Sequence, residues 1–172
     1  MYYFIKMKHK AIIFFLFFIA ANGFAQKNLD ELLQKHNVQS IPYILVEELQ
    51  MFQLNDTVTI LDAREPEEFN VSHLKSAINV GFNDFSSEEK QLQNINKDAQ
   101  IIIYCSLGIR SEKIGEKLEK AGFTNVKNLY GGIFEWKKKG YPVIDSIGEE
   151  TENVHAFSKH WSKYLQAGNP VY

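Results

Sequence analysis

One cysteine, Cys105, stands among the 172 residues. A single thiol excludes an internal disulfide, whatever the compartment. The histidines His36, His155 and His160 have no second soft donor at ligand spacing, so no metal site is read from them. A strong charge of either sign is also missing. The formal net charge is -2, and residues 26–172 alone carry 16 basic against 21 acidic side chains once Lys6, Lys8 and Lys10 are left aside, which is -5. Mild acidity argues against nucleic acid as a partner. There is no internal repeat, no low-complexity tract and no apolar run of the roughly 20 residues that a membrane helix needs.

The apolar run that is present, Ala11–Ala21, follows three lysines and precedes the small residues Gly23 and Ala25. That order predicts a secretory signal peptide over residues 1–25, with Gln26 as the new N-terminus; an uncleaved anchor is the alternative. Met7 is a second candidate start, since "MKHKAIIFF" has the same charged-then-apolar order. No cysteine follows the cleavage site, which excludes lipid attachment there. The expectation is an exported protein, periplasmic or secreted, without a stable membrane span after cleavage. About 147 residues remain, enough for one compact domain. In an oxidising space the odd thiol is a liability unless it is buried or used.

Residues 26–40 read as a polar lead-in with one helical turn, 41–145 as the domain and 146–172 as a tail. Within the domain, "YIL", "TVTILDAR", "AINV", "AQIIIYC" and "NVKNL" are five predicted strands. Helical patterns separate them: "VEELQMFQL", a short helix at "EPEEF" with its proline near the start, a solvated helix over 84–98 capped by Ser86 or Ser87, and "SEKIGEKLEKAGF". Gly-Gly and "IFEWKKKG" close the series. Alternation of strand and helix predicts an α/β fold whose central, mainly parallel five-stranded sheet has helices on both faces. In the tail, Val154, Phe157, Trp161, Tyr164 and Leu165 recur at helical spacing, which predicts a helix packed on the domain or docked on a partner.

Cys105 ends the strand "IIIYC" and opens a loop that leads into a helix. Ligands bind at the carboxyl ends of strands in parallel sheets, and a helix N-terminus with inward backbone N–H groups favours an anion there. A thiol in that place should have a lowered pKa and react as a thiolate. Gly108 permits the tight turn, and Arg110 adds charge.

Three segments in order, "LDAREPEEFNVSHLKSAINV", "CSLGIRS" and "NVKNLYGGIFEWKKKGYPV", resemble a single-domain rhodanese of the rhodanese homology family. The resemblance implies a rhodanese-like fold and a sulfurtransferase that moves sulfane sulfur through a Cys105 persulfide, from a donor such as thiosulfate to cyanide or a thiol, small or on a protein. It implies no metal and no cofactor. Ser106, Leu107, Gly108, Ile109, Arg110 and Ser111 would hold the substrate, with Arg64 facing it and Asp62 bracing the loop. Ser106, Leu107 and Ile109 are uncharged, unlike the basic loops of thiosulfate-selective members. His73 is structural in the family. Two alternatives remain: a persulfide carrier or protein-binding module without turnover, and a phosphatase or arsenate reductase of the same fold. The latter enzymes place five residues between cysteine and arginine, where this chain has four.

Overall fold

The computed structural model describes residues 29–55, 57–88 and 90–172; the segment expected to be a signal peptide lies outside them. The chain divides into two compact units at His36 and Asn37. In the first, residues 29–36 are helical (α1), more than the single turn expected of the lead-in. The second, Asn37–Tyr172, contains everything that follows.

Its sheet has five strands: β1 (Tyr43–Ile44), β2 (Thr59–Asp62), β3 (Ile78–Asn79), β4 (Ile101–Tyr104) and β5 (Val126–Leu129). They lie in the order β1-β5-β4-β2-β3, and every pairing is parallel. The unbroken apolar run of β4 follows from its central place, since all four residues are buried. Leu61, Ile101, Ile103 and Val126 meet Ile114 and Leu118 in one core. Ile60, Ile102 and Tyr104, one step along the same strands, are buried on the opposite face.

Five helices connect these strands and follow them: α2 (Val46–Leu54), α3 (Pro66–Val71), α4 (Lys90–Gln93), α5 (Ile109–Lys120) and α6 (Gly132–Lys138). α5 carries Glu112 in its first turn and Lys117 and Lys120 in its last, each sign where the helix dipole favours it. Pro66 opens α3, where a missing N–H costs nothing, and the Glu68 carboxylate accepts the Glu65 N–H at 3.1 Å.

Two expected helices are corrected. Of residues 84–98, only Lys90–Gln93 is helical among the described residues. Among the described residues of this segment Leu92 is the one fully buried, and a helix without an apolar face gains too little from packing to extend. The Ser86 Oγ accepts the Glu88 N–H in a local turn.

The tail is not the continuous helix that its spacing predicts. β6 (Val143–Ile144) and β7 (Glu150–Thr151) form a hairpin, β8 (Asn153–His155) pairs in parallel with β9 (Asn169–Val171), and only α7 (Lys159–Ser162) is helical. The Val154 stretch is extended because its backbone pairs with a strand 16 residues away in sequence, and Phe157, at φ 61°, is outside the range an α-helix uses. Val154 and Ala156 are fully buried and β8 lies against α3, so the tail packs on its own unit.

Candidate active site

Cys105 follows the last residue of β4, at the carboxyl edge of the sheet, and the chain then turns sharply into α5. Gly108 makes that turn possible at φ 102°, a left-handed conformation that L side chains avoid. Its N–H donates to Cys105 Sγ at 3.1 Å. Its carbonyl is pulled the other way, accepting from the side-chain amides of Asn128 and Asn37, both at 2.8 Å. The Cys105 and Ser106 carbonyls are likewise drawn outward by the N–H groups of Ile133 (3.0 Å) and Phe134 (3.2 Å) at the start of α6. With the carbonyls engaged outside the loop, its N–H groups are left to face the sulfur.

The Ser111 hydroxyl has one proton and two acceptors in reach, Asn128 Oδ1 at 2.7 Å and Cys105 Sγ at 3.5 Å. Burial alone pushes the Cys105 thiol pKa up. The Arg110 charge, the Ser111 hydroxyl and the Ser111 and Leu107 N–H groups outweigh it, so the pKa lies below that of an ordinary cysteine.

Arg110 does not point at the sulfur alone. Its guanidinium forms a bidentate pair with Glu68 at 2.6 and 2.8 Å and donates to Ser106 Oγ at 3.1 Å. Burial pushes the Glu68 carboxyl up, but the Arg110 bonds and charge hold it below the usual range. His155 Nδ1 stands 3.9 Å from the same carboxylate, and burial holds His155 below its ordinary pKa.

Of the residues expected to hold the substrate, Ser106, Leu107, Ile109 and Arg110 line, with Cys105, a pocket of about 170 Å³, while Gly108 and Ser111 touch the sulfur itself. Arg64 is a correction. Instead of facing the substrate, it is fully buried and bound to Asp62 through Nε and Nη2, with Nη2 also donating to the Ser72 carbonyl at 2.7 Å. A guanidinium in the core needs a carboxylate at hand, and Asp62 supplies it two residues away. That pair ties the end of β2 to the segment after α3. His73 makes backbone bonds to Ile144 and stacks on Phe69, away from the pocket lining.

Four contributors were not assigned to the site from the sequence. Glu68 is 42 residues from Arg110, although an acid at the third position of a helix is a local signal for capping. Asn128 occupies a strand, where asparagine is disfavoured, and that misfit was the available clue. Phe157 and Trp161 complete the pocket from the tail, and no local pattern announces it.

Residues 45–139 match the family described as Rhodanese-like domain. A tRNA uridine(34) hydroxylase of Onion yellows phytoplasma is 40% identical over 93 residues, covering 52% of this chain and 30% of that protein. Its counterpart from Staphylococcus saprophyticus is 28% identical over 150 residues, covering 74% and 48%. The chain thus spans less than half the length of these relatives. A rhodanese-related protein from Thermoplasma volcanium superposes with a TM-score of 0.51 at 29% identity, covering 60% of this chain and 97% of that one. The matched segment takes in α2 through α6 and with them the whole Cys105 loop and its braces from Glu68, Asn128 and the start of α6, and the chain belongs to the rhodanese-like domain family.

Proposed function

We propose that this chain is a sulfurtransferase that stores sulfane sulfur as a persulfide on Cys105. The observation that carries the reading is the placement of Cys105, buried and lining a pocket, with Sγ bonded by the Gly108 N–H and the thiol lowered in pKa by its surroundings. With thiosulfate, the Cys105 thiolate attacks the outer sulfur and the electron pair of the old S–S bond leaves with sulfite. The new terminal sulfur is an anion, which the loop N–H groups stabilise as they stabilise the thiolate. Cyanide or a thiol then attacks that sulfur and returns Cys105 to its thiolate.

A phosphatase reading fits less well. Such chemistry needs an arginine free to close on a tetrahedral oxyanion, and Arg110 is engaged by both oxygens of Glu68. RNA as a substrate is suggested by the name of the relatives, but the charge of -5 over residues 26–172 supports a small molecule. Residues 1–25 add the compartment to the proposal: export, with a mature N-terminus at Gln26.

Incubation with thiosulfate should add the mass of one sulfur atom to the protein, and cyanide should remove it as thiocyanate. Cys105→Ser should lose both steps while keeping its fold. Full thiocyanate production by that variant would refute the assignment, since no other residue of this chain is a thiol.

A further inference from the structure

The pocket before Cys105 is poorly matched to an inorganic dianion. Arg110 is the only cation among the described lining residues, and its charge is balanced by Glu68 at 2.6 and 2.8 Å. Arg64 is neutralised in the same way by Asp62 and lies in the core. Thiosulfate would enter without an uncompensated positive charge to replace its hydration. Beside Cys105 and Ser106, the remaining walls are Leu107, Ile109, Phe157 and Trp161.

Phe157 is the second observation. Phe157 is 54% exposed, yet its backbone is held at φ 61°, a conformation that non-glycine residues rarely adopt. The Phe157 N–H donates to His155 Nδ1 at 3.1 Å, and the ring centre stands 5.0 Å from the Arg110 guanidinium carbon. A side chain so exposed gains little from core burial, so strain kept there points to a role at the pocket. The pocket volume of about 170 Å³ is close to the roughly 150 Å³ of a cavity that accepts benzene.

We infer that Phe157 and Trp161 are specificity residues, and that the donor they select is an organic thiosulfonate or persulfide with a compact apolar body, about the size of a phenyl group. The inference rests on the sulfurtransferase reading above. For a thiosulfonate, the Cys105 thiolate attacks the terminal sulfur and a new S–S bond forms. The bond to the sulfonyl sulfur breaks, and its electron pair leaves with the organic sulfinate. One negative charge stays on the enzyme persulfide and one departs, as before the step. No oxidant or reductant is needed, and cyanide takes the sulfur as thiocyanate.

The test compares benzenethiosulfonate, methanethiosulfonate and thiosulfate as donors to the purified protein, with thiocyanate release as the assay. The two thiosulfonates share charge and leaving-group type, so their ratio reads the apolar contact. The KM for the phenyl compound should be at least about tenfold lower than for the methyl compound. Phe157→Gly, which suits the positive φ, and Trp161→Ala should each shrink that ratio to about threefold or less. Met51→Ala, on an exposed part of α2 outside the pocket lining, should preserve it. Equal KM values in the native protein, or a ratio untouched in both pocket variants, would overturn the specificity while thiosulfate still loads Cys105. Failure of all three donors to load Cys105 would overturn the sulfurtransferase reading and, with it, this one.

Discussion

Gly132→Ala tests whether the start of α6 holds the Cys105 loop in shape. A methyl group on Gly132 would overlap the Cys105 carbonyl oxygen and lie 2.8 Å from the carbonyl carbon and oxygen of Ser106. These are backbone atoms, so the clash is relieved only by moving the loop or the helix. Gly132 also has φ 57°, where alanine carries about 1 kcal/mol of strain. Separation would stretch the two bonds from Ile133 and Phe134 N–H to the loop carbonyls, each worth about 1 kcal/mol and more if a buried partner is orphaned. Together the cost is about 3–5 kcal/mol, a large part of a typical domain stability of roughly 5–15 kcal/mol. For a domain of this size that is a fall of roughly 10–15 °C in melting temperature.

Gly122→Ala provides the comparison. Gly122 has φ 92°, but no atom lies within 4 Å of the added methyl. Its cost is the strain alone, about 1 kcal/mol, or roughly 2–4 °C. Thermal unfolding of both variants measures the difference, and the pH dependence of Cys105 alkylation adds a second readout. In Gly132→Ala the displaced N–H groups should let the thiol pKa climb back toward the ordinary cysteine value. Melting temperatures that agree within about 3 °C, with identical alkylation profiles, would refute the bracing argument.

Glu68→Gln should cost about 1–3 kcal/mol, because it breaks a largely buried pair while keeping one hydrogen-bonding partner for Arg110. The same change leaves Arg110 uncompensated at the pocket, so the KM for thiosulfate should fall; an unchanged KM would mean that Glu68 does not screen the guanidinium. Acid should weaken the fold in two windows, followed by denaturant titration at stepped pH. His155 has a depressed folded pKa, so its contribution is intact above about 6.5 and is lost as pH falls through the lower folded value. Glu68 is also depressed in the folded state, so its contribution persists to lower pH and is lost as pH falls through its own folded value. His155→Gln should flatten the first window and leave the second; persistence of the first would show that another group titrates there.

Much of the fold and the centre of the site are legible without coordinates because they are written in local patterns. "IIIY" is four residues that favour extended backbone, and only a strand covered on both faces buries them all. Ile114 and Leu118 recur at one helical turn, the lysines gather at the end of α5, and glycines mark where the chain reverses. The Cys105-to-Ser111 loop is contiguous, so the N–H groups around the sulfur were foreseeable from its place between strand and helix.

What the tertiary structure decided involves partners far apart in the chain. Arg64 and Arg110 are both arginines near a strand end, and nothing local says that Arg64 is buried in the core while Arg110 reaches the pocket with Glu68, 42 residues away, as its counterion. In the tail, apolar residues at intervals of three and four imitate a helix. The pairing of Val154 with Pro170 overrides that periodicity, since backbone bonds to a strand 16 residues away and burial of β8 against α3 outweigh weak helical preference. The residues 84–98 fail as a helix for the converse reason, with no apolar face and, among the described residues, one buried anchor, Leu92. Periodicity records which side chains want to be inside. Which surface receives them, and therefore that Phe157 and Trp161 close over Cys105, depends on long-range contacts that only the folded chain brings together.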